Sequence, residues 1–299
     1  MIRRPPSSTL DRSSAASDVY KRQIIVLPGA YDALSAKLIE QAGFRQLFTT
    51  GFGLAASTLG EPDIGLLTQT ETLDRARRIA QTVGVPLVAD MDTGYGNPIN
   101  VVRTVRECIE ARIAGIILED QEWPKRCGHL AGKRVVPGED HVQKLRAAIH
   151  ARGNDDLVVI ARTDARAVHG LDDAIDRSHA NIEAGADVVF VEAPRSVDEL
   201  KIVRAAFDDN VPLFANMIED GVTPFLSATE LQDLGYKMVV YPLSGLFAAT
   251  AALQRTYTAL MTDGTTQAAG PMVGLEDFKG LIGVAGYEEL EREFVNRTF

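Results

Sequence analysis

Hydrophobic residues along this chain fall into short apolar runs that alternate with longer stretches of helical periodicity. Eight runs, each followed by a polar or glycine-containing turn, predict buried strands at residues 24–27, 46–50, 86–89, 115–119, 157–161, 187–192, 212–215 and 237–241. Amphipathic spacing predicts helices at residues 32–41, 70–82, 99–111, 140–151, 172–184, 197–207, 228–234 and 246–261. Turns such as Val-Gly-Val-Pro and Asp-Asn-Val-Pro are typical of short returns from a helix to a parallel strand.

Eight strand–helix units in one chain of 299 residues predict a (β/α)8 TIM-type barrel of the α/β class. The alternative, an open doubly wound sheet, requires a glycine fingerprint after its first strand, and Pro-Gly-Ala-Tyr-Asp at 28–32 is not one. We therefore assign residues 24–299 to a single barrel domain with a C-terminal helical extension.

Residues 1–23 differ in composition from the rest of the chain. They contain five serines, two adjacent prolines and an excess of basic residues. A transit peptide is one interpretation, whereas the absence of an apolar central region excludes a secretory signal. The string ending Ser-Asp-Val-Tyr-Lys-Arg-Gln resembles translated sequencing adaptor. We expect this leader to be non-native or disordered, and the natural N-terminus to be missing.

The charge and the cysteine content restrict the partners and the compartment. A formal net charge of -10 argues against nucleic acid or an anionic membrane as a general partner. The chain contains only two cysteines, which do not form a disulfide framework and predict a reducing, cytoplasmic environment. An acidic protein that binds an anionic substrate must concentrate positive charge, or a metal, at its site.

Acidic residues follow two neighbouring predicted strands. Asp90 and Asp92 alternate after the third strand, so both side chains point the same way, and Glu119 ends the fourth strand. Hard carboxylate oxygens suit Mg²⁺, or Mn²⁺, better than zinc. The alternative is helix capping by Asp92 with Asp90 in a salt bridge, but Glu119 in register favours the metal.

Arg162 and Asn216 follow later predicted strands and would face the same barrel mouth. The rigid guanidinium fork of an arginine matches a carboxylate or a phosphate. An internal ion pair with Asp164 or Glu192 is the alternative for Arg162. Asn216 would donate to the same anion, or would be a turn residue.

The segment 116–133 begins as a strand and becomes a loop around Cys127. Lys125, Arg126 and His129 flank this cysteine, and nearby cations stabilise a reactive thiolate. The alternative is a polar surface loop with an incidental cysteine.

Together these motifs resemble the isocitrate lyase / phosphoenolpyruvate mutase superfamily over nearly all of residues 24–299. The likeness rests on Pro-Gly-Ala-Tyr-Asp at 28–32, Asp63 in Glu-Pro-Asp-Ile-Gly, Asp-Met-Asp-Thr-Gly-Tyr-Gly at 90–96, Glu-Asp-Gln at 119–121, Lys-Arg-Cys-Gly-His at 125–129, Arg-Thr-Asp-Ala at 162–165 and Tyr-Pro-Leu-Ser at 241–244. The Lys-Arg-Cys-Gly-His motif is specific to the carbon–carbon lyases of the superfamily, which include 2-methylisocitrate and 2,3-dimethylmalate lyases.

The resemblance implies a barrel that swaps its last helix with a neighbour and assembles as a homotetramer. It implies Mg²⁺ bound directly by Asp90 and through water by three other carboxylates: Asp63, Asp92 and Glu119. It also implies a set of residues around a small dicarboxylate substrate: Thr50, Gly51, Phe52, Gly128, Arg162, Glu192, Asn216, Ser244 and Phe247. Cys127 would be the acid on a mobile gating loop, with positive charge from Lys125, Arg126 and His129.

Departures from the 2-methylisocitrate lyase pattern concern the substrate. Phe247 aligns where that branch carries an arginine for the distal carboxylate, and Phe52 narrows the pocket. Because burying an unpaired carboxylate is costly, both favour an alkylated malate such as 2,3-dimethylmalate, cleaved to pyruvate or another α-keto acid and a carboxylate. Phe48 aligns where a tyrosine base is expected, which leaves three unranked candidates: Tyr31, Tyr95 and Glu219.

Four alternatives stay open at this point. Three are enzymes: a 2-methylisocitrate lyase, a carboxyphosphonate or phosphoenolpyruvate-type mutase, and an oxaloacetate decarboxylase. The fourth is a barrel that binds a keto acid without converting it, since a fold alone does not guarantee activity.

Overall fold

The computed structural model describes residues 23–295, so the predicted leader lies outside it except for Gln23. All eight predicted strands are present, with ends shifted by up to three residues. They are β1 (Ile25–Ala30), β2 (Leu47–Thr49), β3 (Leu87–Asp90), β4 (Gly115–Glu119), β5 (Val158–Thr163), β6 (Val188–Val191), β7 (Phe214–Asn216) and β8 (Met238–Tyr241).

The strands form one parallel sheet in the order β6-β5-β4-β3-β2-β1-β8-β7. A parallel bridge between Val189 and Leu213 joins its two ends, where the Val189 amide donates to the Pro212 carbonyl at 3.0 Å. The sheet therefore closes into a nearly complete barrel, which confirms the predicted (β/α)8 TIM-type fold.

Helices connect the strands and continue the chain beyond them. They are α1 (Ala33–Gln41), α2 (Gly51–Leu59), α3 (Gln69–Thr82), α4 (Pro98–Glu110), α5 (Gly138–Arg152), α6 (Ala165–Val168), α7 (Leu171–Glu183), α8 (Val197–Ala205), α9 (Ala228–Asp233), α10 (Ser244–Asp263), α11 (Leu275–Ile282) and α12 (Val284–Phe294). Several begin at the polar caps that the sequence offers; at α3, for example, Thr68 and Glu71 form a reciprocal capping box.

The core has two layers that follow from strand alternation. One buried cluster receives a residue from every strand, including Leu27, Ile117 and Phe190, and fills the inside of the barrel. The residues of opposite parity, such as Leu47 and Ile116, pack outward against the helices.

The chain forms two compact units, of which the first ends at Gly245 and the second begins at Leu246. The first unit contains the barrel. The second contains most of α10 and all of α11 and α12, and its helices carry exposed apolar side chains. No helix within residues 23–295 has the length and apolar character needed to cross a bilayer.

Candidate active site

Strand alternation carries polar side chains to the mouth of the barrel. Along a strand, every second side chain points the same way. Asp90 lies two positions after the barrel-interior residue Val88, and Glu119 two positions after Ile117, so both carboxylates point inward at the mouth. Both carboxylates are at least 92% buried, as their exposures are 8% and 1%. The amides of Gly51 and Asp92 donate to the two oxygens of Asp90 at 3.3 and 3.1 Å.

Lys125 brings a cation to this group of carboxylates. Its ammonium lies 2.6 Å from Asp63 Oδ1 and 2.7 Å from Asp92 Oδ1, and its side chain is 3% exposed. Burial alone would lower the pKa of Lys125, but the surrounding carboxylates, Asp92 and Asp63 foremost, raise it well above its usual value. Lys125 therefore stays charged.

The four carboxylates fit a hard divalent cation. Burial raises the pKa of Asp90 and of Glu119, and the Oε1 atom of Glu119 has no hydrogen-bond partner among residues 23–295. Buried anions in excess of the available cations favour binding of further positive charge. No three His, Cys, Asp or Glu side chains in this part of the chain converge as a ready-made metal cluster. The donors thus suit an ion that keeps much of its water, as Mg²⁺ does.

Arg162 is the centre of a second group. Its guanidinium contacts Asp164 at 2.9 and 3.1 Å, Glu192 at 3.2 Å and Glu119 at 3.3 Å. It also stacks over the Phe190 ring, with its central carbon 5.3 Å from the ring centroid. The ion pairs considered as the alternative for Arg162 are therefore present, and the same side chain lines the central cavity.

Cys127 lies on a loop whose base is an antiparallel bridge between Gln121 and Val135. We call residues 121–135 the cysteine loop. Burial raises the pKa of the Cys127 thiol to about 11, and the charges of Lys125 and Arg162 only partly oppose this. The expectation of a stabilised thiolate was wrong, because desolvation outweighs the nearby cations. At neutral pH the thiol is protonated, as an acid must be.

The flanking residues of the cysteine loop separate into two groups. His129 lies at the cavity, where its Nδ1 accepts from the Val222 amide at 3.0 Å and its Nε2 lies 3.1 Å from Glu192 Oε1. Arg126 instead has an exposed side chain that lines a separate cavity. Arg126 was predicted to lie in the reaction centre, but the structure does not place it there. Its backbone amide and carbonyl both hydrogen-bond to the side-chain amide of Gln121, which leaves its side chain pointing outward.

A central cavity of about 40 Å³ opens between these groups. The predicted residues that line it are Thr50, Phe52, Asp63, Asp90, Lys125, Cys127, Gly128, His129, Arg162 and Asn216. At Gly128 a Cβ atom would lie 2.5 Å from Arg162 Nη2 and 2.6 Å from Glu192, so a side chain there would displace the loop or these two residues. Glu192 supports the wall from behind, 3.3 Å from the amide nitrogen of Asn216.

Apolar wall residues were missed from the sequence. Phe48, Phe190, Ile218, Val240 and Pro242 complete the lining. Sequence reasoning had noted Phe48 only for the missing tyrosine. The signal for the others was available in strand alternation, because Phe190 precedes Glu192 by two residues, and Ile218 follows Asn216 by two.

The remaining predicted residues lie around this cavity or outside the first unit. Gly51 is beside the metal carboxylates, where an added Cβ would be 3.0 Å from Asp90 Oδ2. Ser244 donates a hydrogen bond to Glu219. Phe247 belongs to the second unit, and its position in the pocket remains a prediction.

Two of the three base candidates have reasons against that role. The Tyr95 hydroxyl donates to Asp92 at 2.8 Å, and burial raises its pKa well above the usual value. Burial also raises the pKa of Tyr31. Neither Tyr31 nor Glu219 is among the residues that line the cavity. Glu219 keeps a buried Oε2 atom without a hydrogen-bond partner among the described residues.

A parallel barrel with charged residues and a thiol at the C-terminal ends of its strands defines an enzyme-like site for small anions. The chain belongs to the phosphoenolpyruvate phosphomutase family, whose sequence model matches residues 18–261. The superfamily resemblance inferred from the motifs is thereby confirmed.

Characterised relatives include both lyases and a mutase. The chain is 44% identical to the 2,3-dimethylmalate lyase of Eubacterium barkeri, over 91% of this chain and 94% of that protein. It is 44% identical to the chloroplastic carboxyvinyl-carboxyphosphonate phosphorylmutase of Arabidopsis thaliana, over 93% and 83% of the two chains. It is 40% identical to the 2-methylisocitrate lyase of Halalkalibacterium halodurans, over 96% and 93%.

Solved structures resemble the fold over almost its full length. Oxaloacetate acetylhydrolase bound to the inhibitor 3,3-difluorooxalacetate superposes with a TM-score of 0.91 at 34% identity, over 97% and 98% of the chains. A 2,3-dimethylmalate lyase superposes at 0.89 with 35% identity, over 95% of both chains. Phosphonopyruvate hydrolase, solved with oxalate and Mg²⁺, superposes at 0.85 with 30% identity, over 96% and 99%.

Proposed function

We propose that this protein is a Mg²⁺-dependent lyase that cleaves the C2–C3 bond of a 2-alkylmalate, with 2,3-dimethylmalate as the leading substrate. The observation that carries the proposal is that Cys127, Arg162 and the buried carboxylate Asp90 line the same cavity. Burial raises the pKa of the Cys127 thiol to about 11, which favours its protonated form. A proton donor, an anion-binding group and a metal-binding carboxylate are the parts that this cleavage requires.

The cation would be held directly by Asp90 and through water by Asp63, Asp92 and Glu119. When bound, Mg²⁺ supplies positive charge to the oxygens of a 2-hydroxy carboxylate and of the ketone that forms. The unpartnered Oε1 atom of Glu119 and the burial of all four carboxylates support this assignment.

The chain's own residues would bind the substrate and move its protons. Arg162, Asn216 and the start of α2 would bind the carboxylate of the 2-hydroxy acid. Glu219 is our choice for the base that takes the hydroxyl proton, because its buried Oε2 atom has no hydrogen-bond partner among the described residues. The C2–C3 bond then breaks, and its electron pair remains on C3 as a carboxylate enolate. Cys127 donates a proton to C3, which gives pyruvate and propanoate from 2,3-dimethylmalate.

The apolar lining supports an alkylated substrate. Phe48, Phe52 and Val240 line the cavity, and none can pair with a third carboxylate. The similarity to a 2,3-dimethylmalate lyase supports the same choice.

The test is pyruvate release by the purified protein with Mg²⁺, comparing 2,3-dimethylmalate with 2-methylisocitrate. We expect kcat/KM to favour dimethylmalate by about tenfold or more, since a carboxylate buried without a partner is disfavoured by at least that factor. A preference for 2-methylisocitrate would contradict the alkyl pocket. Tight pyruvate binding without cleavage of any candidate would contradict the lyase itself.

A second candidate reaction is carbon–carbon cleavage of oxaloacetate. The TM-score of 0.91 to oxaloacetate acetylhydrolase favours including it in the same assay. Phosphorus NMR with a phosphonate substrate tests the mutase alternative, because rearrangement of a carbon–phosphorus bond shifts the resonance.

We further propose that the protein acts in the cytoplasm as a homotetramer. The helices of the second unit expose large apolar side chains, with Leu275, Tyr287 and Phe294 at 71%, 72% and 72% exposure. Exposed apolar surface of this kind favours association with another copy of the chain.

A further inference from the structure

Lys133 lies on the cysteine loop and has a buried, charged side chain. It has no role in the reaction proposed above. Its side chain is 3% exposed, although the neighbouring residues Gly132 and Arg134 are exposed. Lysine is almost never buried without a specific partner, because desolvating an ammonium is costly. Its partners therefore indicate what it does.

We propose that Lys133 is a positioning residue that locks the cysteine loop onto Arg162; the part of this inference that concerns turnover rests on the proposed function. The Lys133 ammonium donates to the Gly128 carbonyl and lies 3.0 Å from Asp164 Oδ1. One cation thus joins the loop segment beside Cys127 to the carboxylate that holds Arg162.

The contacts of Gly128 show why a lock is required at this point. The Gly128 backbone approaches Arg162 and Glu192 so closely that a Cβ would meet both. The adjacent turn is closed by the Leu130 amide, which donates to the Cys127 carbonyl at 2.8 Å, and the Cys127 amide donates to the Asp63 carbonyl at 3.0 Å. Lys133 holds the other side of the same turn. Its contact therefore keeps the thiol of Cys127 over the cavity.

Charge balance gives Lys133 a second effect on the same site. Arg162 contacts three carboxylates: Asp164, Glu192 and Glu119. If Arg162 were the only cation beside these three carboxylates, the group would carry a net negative charge. That charge would repel an anionic substrate. Lys133 compensates part of the charge of Asp164, so that less of the positive charge of Arg162 is neutralised before a substrate carboxylate binds.

The test compares Lys133→Met with Arg134→Met, its neighbour on the same loop. Both substitutions remove one positive charge, but the Arg134 side chain is 72% exposed and pairs with Glu122 at the surface. Hydrogen–deuterium exchange of the amides of residues 127–130 is measured without substrate, and kcat and KM are measured with 2,3-dimethylmalate. Thermal unfolding of each variant checks its fold. If Lys133→Met does not fold, Lys133→Gln takes its place, because glutamine retains a donor for the Gly128 carbonyl.

We expect Lys133→Met to accelerate exchange of these amides by about tenfold. In the variant, the cysteine loop can open without breaking the buried ion pair between Lys133 and Asp164. We expect its KM to rise by about tenfold while kcat falls by a smaller factor, since Arg162 binds a carboxylate present before the reaction. Arg134→Met should resemble the wild type. A merely structural role would lower the amount of active enzyme and leave KM unchanged.

The two proposals fail in distinguishable ways. Equal exchange in Lys133→Met and the wild type would overturn the lock, whatever the activity. An unchanged KM in an active Lys133→Met variant would overturn its effect on Arg162. A wild-type protein that cleaves no alkylmalate would refute the proposed function, whereas the exchange comparison would still decide the lock.

Discussion

At the scale of single residues, the protonation of Cys127 decides its chemistry. A thiol with a pKa of about 11 is a poor nucleophile at neutral pH and a competent proton donor. We predict that Cys127→Ser lowers kcat for pyruvate release by about 10²-fold or more, because a serine hydroxyl is a much weaker acid. Mg²⁺ affinity, measured by titration calorimetry, should be unchanged.

Cys108→Ala is the matched control for that substitution. Cys108 is fully buried in α4, away from the cavity, and burial raises its pKa to about 12. This variant should keep its kcat. An undiminished kcat in Cys127→Ser would refute the acid assignment.

A second prediction at this scale concerns His141, a buried residue of α5. Burial lowers its pKa from 6.5 to about 3, so the folded protein keeps it neutral where the unfolded chain binds a proton. Below pH 6.5 this difference destabilises the fold, by about 2 kcal/mol at pH 5, and stability returns as the pH rises. Urea unfolding at pH 7 and pH 5 should show a smaller pH-dependent loss in His141→Gln than in the wild type.

Two other groups serve as controls for that measurement. Burial raises the pKa of Asp120 to about 6, which gives the free energy of unfolding the opposite dependence on pH. Because Asp120 is present in both proteins, its effect cancels in the comparison. His150→Gln removes an exposed imidazole from the same helix. Equal pH-dependent losses in His141→Gln and the wild type would contradict the prediction.

At the scale of elements, the cysteine loop passes close to buried side chains at Gly128, where any Cβ would force a displacement. Since a Cβ at Gly128 would meet buried atoms of Arg162 and Glu192, we predict that Gly128→Ala lifts the loop and lowers kcat/KM by about 10²-fold. The melting temperature should change little. Gly138→Ala is the control, because its Cβ would lie 3.7 Å from its nearest neighbour, Arg177, which is an ordinary contact distance. This variant should leave kcat/KM unchanged. Wild-type kcat/KM in Gly128→Ala would show that the loop tolerates the displacement.

The helices and strands also show which parts of the fold the hydrophobic periodicity of the sequence predicts. Strands were predictable to within three residues because each is a short apolar run bounded by turns. Helix α2 was not predicted, since it opens with Gly-Phe-Gly and glycine disfavours helix; only the Thr50 cap hints at its start. The carboxylates and Arg162 were predictable from strand ends. The outward turn of Arg126 and the burial of Lys133 depend on loop contacts that sequence spacing does not encode.

At the scale of the whole molecule, a net charge of -10 argues against a nucleic-acid partner, and the exposed apolar side chains of the second unit favour the proposed self-association. A chain with a net charge of -10 repels its copies at long range, so apolar contact must outweigh that repulsion for a tetramer to form. Salt screens charge repulsion without weakening apolar burial. Association of this protein should therefore be favoured, not disrupted, by raised ionic strength.

The wild type should have the light-scattering mass of a tetramer, and Leu275→Glu should reduce it, because a charge would replace an apolar side chain that is 71% exposed in the single chain. Glu276→Gln, one residue further along α11, is the control and should leave the mass unchanged. Raising the salt concentration should not dissociate the wild type. A wild-type monomer would contradict the tetramer. An unchanged mass in Leu275→Glu would exclude this face of α11 from the contact, so that α10 or α12 would have to supply it.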